Sequence, residues 1–154
     1  MSSSLVGSEM CIRDRDYTKC KFSDGQDLQG SFLPNSNLSF ASFIQVNLDK
    51  SIMMNSNLAF GTFSESSFIR ANLYESTLTG ANFEQSNFTS ANLTRADFMG
   101  ATLIDVNFQN SNLMEANFTS SNILNANFEG ANLIGATWTN GEVCGPDSIG
   151  TCNK

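Results

Sequence analysis

Every fifth residue of this chain from Leu28 to Trp138 is apolar, 23 positions without an exception. Cut in fives from Gln26 to Asn140, the residue two places before the apolar one is almost always small: ten Ala, nine Ser and one Gly, against only Gln26, Val46 and Val106. Between the two stands Asn in 13 of the 23 quintets. A period of five excludes both regular elements. At ~100° per residue a helix turns ~140° between repeats and spreads the Leu/Phe set over all its sides. In a pleated strand an odd period throws successive Leu/Phe side chains to opposite faces. The chain must therefore turn a corner once per quintet, so that the small and the large apolar residue both point to one interior.

The phenylalanines set the number of corners per coil. Phe43, Phe63 and Phe83 are 20 apart, as are Phe68, Phe88, Phe108 and Phe128, and as are Phe98, Phe118 and Trp138. The remaining set, Leu33, Met53, Leu73, Leu93, Leu113 and Leu133, has no Phe. Four quintets per coil stack like on like, and each stacked aromatic pair gains about 0.5–1.5 kcal/mol beyond area burial. This Ala/Ser-Asn-Leu/Phe-x-x array resembles the pentapeptide-repeat family, defined by tandem A(D/N)LXX quintets. The resemblance implies an all-β fold, a right-handed quadrilateral parallel β-helix of about six coils, ~28 Å long at one strand spacing per coil. In such a stack each repeat is held by its neighbours, and stability grows along the array.

Three segments follow. Residues 1–15 read as a leader, either disordered or derived from a library adapter of the kind that recurs in metagenomic gene models, since Ser8–Arg15 is unlike the repeat. Residues 16–140 form the β-helix, the quintets Arg15–Lys19 and Cys20–Asp24 preceding it out of register with Gly25 as a one-residue insertion. Residues 141–154 leave the repeat and form a capping tail.

Little in the chain suggests chemistry. It has no His, the side chain best suited to proton transfer near neutral pH. Neither of the common glycine-rich phosphate-binding motifs occurs. Acids such as Asp27, Asp49, Glu65, Glu75, Glu84, Asp97, Asp105, Glu115 and Glu129 fall on different faces and make no catalytic pair. No catalytic residue, cofactor or metal site is expected. A net charge of −7 argues against a nucleic-acid groove, which needs clustered Lys and Arg. No apolar run is long enough to span a bilayer.

The candidate sites are the places where the chain departs from its own rule. Phe32 and Ile52 stand at the outward polar position, 20 apart, and Phe40 and Phe60 make another outer pair, which together predict an apolar patch where another chain docks. Trp138 ends an aromatic column and is expected to plug the last coil. Cys144 and Cys152 in the tail read as a disulfide closing a small loop, or as two free thiols. The tail resembles terminal segments of exported pentapeptide-repeat proteins, and pairing of the two thiols favours an exported or periplasmic location. The unpaired strand edges of a β-helix end invite association, so a homodimer through one end is expected.

Together these features point to a non-catalytic scaffold, a structural or protein-interaction module with an unidentified protein partner. The alternative, suggested by the resemblance, is a DNA-mimicking inhibitor of gyrase of the quinolone-resistance type. The unbroken array and scattered negative charge depart from that pattern.

Overall fold

The computed structural model describes residues 15–22 and 24–154. The leader expected over residues 1–15 therefore lies, apart from Arg15, outside the described residues. From Asp27 onward each face pairs in parallel with the residue 20 places ahead, as Asp27 with Asn47, Phe32 with Ile52, Asn37 with Asn57 and Ser42 with Thr62. These four columns continue to Asn117 with Thr137, so each face is one quintet and the coil is a right-handed quadrilateral parallel β-helix. At the amino-terminal end the offset is 21, Asp16 with Asn37 and Lys21 with Ser42, because one extra residue lies between Lys21 and Asp27.

The corners explain the consensus residue by residue. At most corners a two-residue turn is closed by a bond from the small residue's amide to the preceding apolar residue's carbonyl, as from Ala41 N to Leu38 O at 3.1 Å, while the amides of Ser36 and Val46 donate instead to the Ser56 and Ser66 hydroxyls one coil on. The fifth residue takes a positive φ, 56° at Gln45, 58° at Lys50 and 58° at Glu65, the conformation that position i+2 of a type II turn demands. For an L residue this costs roughly 1–2 kcal/mol, which packing on either side of the corner must offset. All 13 second-position asparagines accept a hydrogen bond at Oδ1 from the amide two residues on, beginning with Asn37 and ending with Asn132. Asn is therefore chiefly a turn-former here. Contacts between stacked amides are fewer: Asn92 donates to Asn72 at 3.2 Å and Asn127 to Asn107 at 3.3 Å.

The interior follows from the same register. Phe43, Phe63 and Phe83 stack at 5.2 and 5.0 Å, and Phe68, Phe88, Phe108 and Phe128 at 4.6, 5.4 and 5.1 Å. Rings of neighbouring columns meet edge to face, as Phe83 with Phe88 at 5.3 Å. Small first-position residues leave room for these rings. Several buried first-position serines reach a carbonyl of the coil below, Ser56 to Leu33, Ser76 to Met53 and Ser86 to Phe63, at 2.7, 2.8 and 2.6 Å, whereas Ser31, Ser111 and Ser121 donate to the carbonyl three residues back in their own coil. The hydroxyls of Ser36 and Ser51 are buried without a partner. Cys20 is buried at the equivalent inward position.

Candidate interaction surface

The outward apolar residues lie on two neighbouring faces. Phe32 and Ile52 occupy the middle of the face built by quintets 31–35 and 51–55, and are 68% and 37% exposed. Phe40 and Phe60 sit at the far corner of the next face, 54% and 56% exposed, with their rings stacked at 5.4 Å. A turn at residues 34–35 separates the two pairs, so they point outward from different flanks. The expected apolar patch therefore spans a corner that residue spacing alone does not convey.

The corner pair is unusual in its backbone. Phe40 and Phe60 occupy the fifth position of their quintets at φ 59° and 58°. A bulky aromatic residue at positive φ is an outlier, and it is held here by the turns on both sides. Below Phe60 in the same column lies Gly80, and a Cβ built on Gly80 would come 2.6 Å from Phe60 Cε1. The Phe60 ring thus lies along the corner over a glycine. Sequence reading passed over this glycine, although its position 20 residues after Phe60 was the available signal.

A second corner carries charge. Arg95 donates from Nε to Glu115 at 2.7 Å and from Nη1 to Glu75 at 3.2 Å and to the Tyr74 hydroxyl at 3.3 Å. The Tyr74 hydroxyl in turn donates to Glu75 at 2.8 Å. Tyr74 first, and Arg95 second, hold the Glu75 carboxyl below its ordinary range, while the two carboxylates raise the Arg95 guanidinium. Glu75 and Glu115 are 40 apart in sequence and therefore share a column with Arg95 between them. Spacing in twenties finds this clamp; treating the acids as scattered misses it.

The tail lies across the carboxyl-terminal end. Val143 bridges Thr137 and Ile149 bridges Asn132, both antiparallel. Trp138 N donates to Glu142 O, Cys144 N to Ala136 O, and Leu133 N to Ser148 O, at 2.7, 2.8 and 2.8 Å. Cys144 and Cys152 are joined by a disulfide with their Cα atoms 5.0 Å apart. Glu142 and Lys154 form an ion pair, and Lys154 first, then Asn140, lower the Glu142 carboxyl. Trp138 meets Phe118 edge-on at 5.6 Å and Phe128 at 5.2 Å, so it lies at the end of two aromatic columns and is partly buried. Among the described residues no group of three His, Cys, Asp or Glu side chains is arranged to hold a metal ion, and no helix is long and apolar enough to cross a membrane.

Comparison with known proteins agrees with this geometry. The family model for pentapeptide repeats matches in eight copies, over residues 27–59, 66–103 and 96–135. No curated protein matches the chain by sequence. Among solved structures it is similar to HetL, a pentapeptide repeat protein involved in heterocyst differentiation regulation in the cyanobacterium Nostoc sp. strain PCC 7120, with a TM-score of 0.67 and 22% identity over 83% of this chain and 68% of that one. It is also similar to a trypsin-treated variant of QnrB1, a plasmid-mediated fluoroquinolone resistance protein, with a TM-score of 0.50 and 24% identity over 79% of this chain and 61% of that one. At such identities the likeness carries the fold alone.

Proposed function

Since the chain belongs to the pentapeptide-repeat family, we propose that it is a non-catalytic scaffold that binds another protein, with the Phe40–Phe60 corner as its recognition surface. The family is generally structural, and its regular faces here are explained by folding alone. One observation carries the reading: two stacked phenyl rings stay more than half exposed while their backbones hold a conformation that disfavours them. Stacking on each other gives the pair about 0.5–1.5 kcal/mol, yet the fold does not require large apolar side chains there, since polar residues fill the same turn position at Gln45, Lys50 and Glu65. A partner that covers the rings recovers the hydrophobic free energy they lack in isolation. The net charge of −7 favours a partner with a basic rim round an apolar centre. The Cys144–Cys152 bond supports an oxidising, exported location.

The test is affinity capture from an extract of the source organism, run in parallel with the native chain and with a Phe40→Ser/Phe60→Ser variant of matched thermal stability. The reading expects a protein held by the native chain and lost by the variant. Identical capture by both would sink it. The alternative, a DNA-mimicking inhibitor of gyrase, draws on the acidity and on the likeness to QnrB1. The Glu75–Arg95–Glu115 clamp weighs against it, because a cation neutralises the corner where two acids stack. A supercoiling assay with no inhibition at micromolar protein disposes of that alternative.

A further inference from the structure

We propose that Asn140–Gly141 is a site of spontaneous deamidation, held back by the Cys144–Cys152 tail and released when that disulfide is reduced. Asn140 is the only asparagine in the chain that glycine follows. Glycine leaves the next backbone nitrogen unshielded by a side chain, and that nitrogen must reach the asparagine's own side-chain carbonyl. The backbone here also breaks the rule of the coil. From Gly30 to Gly135 every fifth-position residue holds a positive φ, whereas Asn140 does not and Gly141 takes it instead, at 83°. Inside the helix the amides of Asn55 and Asn110 donate to Tyr74 O and Glu129 O of the next coil, both at 2.9 Å. The Asn140 amide meets no acceptor among the described residues. Asn140 and Gly141 are both exposed, and a Cβ built on Gly141 meets nothing within 4 Å.

The reaction needs water alone. Gly141 N, deprotonated by base, attacks Asn140 Cγ; the N–Cγ bond forms, the Cγ–Nδ2 bond breaks and ammonia leaves. Water then opens the resulting five-membered imide at either carbonyl, which gives aspartate or isoaspartate with no change of oxidation state. Three bonds oppose the first step. Gly141 N–H donates to Trp138 O at 2.9 Å, Asn140 Nδ2 donates to the Glu142 carboxylate, and Asn140 Oδ1 accepts from Glu142 N at 3.2 Å. Two of the three end on Glu142. That residue is fixed by Trp138 N, which donates to its carbonyl at 2.7 Å, and by its ion pair with Lys154. Cys144 and Cys152 fasten the segment between Glu142 and Lys154, so the attacking and leaving nitrogens stay with their partners while the disulfide is intact. Reduction lets the segment open locally, and ring closure proceeds from the opened form.

Conversion makes that opening permanent. A carboxylate at residue 140 replaces the Nδ2 donor with a second anion beside Glu142, and isoaspartate also lengthens the main chain inside the turn that Gly141 N closes. The site shares no residue with the Phe40–Phe60 corner, so its failure and the failure of partner capture are separate results.

Oxidised and reduced samples of the full chain, incubated side by side at mildly alkaline pH, test this by peptide mapping with mass spectrometry and chromatographic separation of isoaspartate. Asn140 is expected to convert several-fold faster in the reduced chain, to aspartate and isoaspartate together. The Cys144→Ser/Cys152→Ser variant without reductant should match the reduced chain, which separates loss of the bond from any effect of the reductant. Asn55 and Asn110, each followed by a buried serine, should keep their amides in every sample. An intact Asn140 in the reduced chain, equal rates in the two redox states, or conversion at Asn55 or Asn110 as fast as at Asn140 overturns the inference.

Discussion

The ring of Phe60 lies in the space that any side chain on Gly80 would need: a Cβ at residue 80 would come within 2.6 Å of Cε1 and 2.7 Å of Cδ1. Gly100, one coil further along the same corner, has nothing within 4 Å of the equivalent point. The two glycines share nearly the same backbone, φ 64° and 66°, so they separate conformational cost from steric cost. Gly100→Ala is expected to cost about 1 kcal/mol, from the positive φ alone. Gly80→Ala is expected to cost at least as much and to swing the Phe60 ring off the corner. Thermal melts of the two variants, with aromatic NMR shifts for Phe60, check both parts; an unmoved ring in Gly80→Ala would show that the corner stack does not rest on the glycine.

The buried serines divide in the same way. Ser76 donates to Met53 O at 2.8 Å, whereas the Ser51 hydroxyl is fully buried with no partner. Ser76→Ala should destabilise the helix by roughly 1 kcal/mol, by removing a made bond, while Met53 O keeps the Ser56 amide as a donor. Ser51→Ala should be neutral or stabilising by about the same amount, since only a desolvated hydroxyl is lost. Denaturant midpoints at unchanged slope measure both, and equal losses would contradict the assignment.

Titration offers a local readout of the charged corner. The Glu75 carboxyl is held low by Tyr74 and then Arg95. A folded value below the unfolded one means that the interaction is present above the ordinary carboxylate range and is lost as pH falls through the folded value. Followed by carboxyl-carbon NMR, Glu75 in the native chain should titrate below free glutamate. Arg95→Met should raise that midpoint only part of the way, because the Tyr74 hydroxyl still donates. A midpoint unmoved by Arg95→Met would remove the arginine from the clamp.

Reduction of Cys144–Cys152 should loosen the tail and leave the coils intact. The bond spans 8 residues, and the chain-entropy relation gives it roughly 2–3 kcal/mol against the opened tail. On adding reductant, hydrogen exchange at the amides of Leu133, Gly135, Trp138 and Cys144 should accelerate, because all four donate within the tail pairing. The amides of Leu73 and Leu93, mid-helix, should keep their protection. Equal acceleration at both places would mean that the tail and the helix open together.

What the sequence determined by itself was the part set by periodicity. A five-residue period forces a corner per quintet, and the spacing of the Phe columns in twenties forces four corners per coil; the structure pairs the chain in that register. The Asn preference fits an amide ladder as well as turn bonds, and the structure makes Asn chiefly a turn-former, with an Asx bond that closes within two residues. The tertiary structure decided everything that depends on where a corner points. It stacked Phe40 on Phe60 at one corner, and it lined Glu75, Arg95 and Glu115 along one edge. It also turned the tail back over the last coil. The repeat specifies its interior because each inward residue meets its own kind one coil away. Outward residues and chain ends meet no such repeat, so their surroundings exist only once the coil has closed.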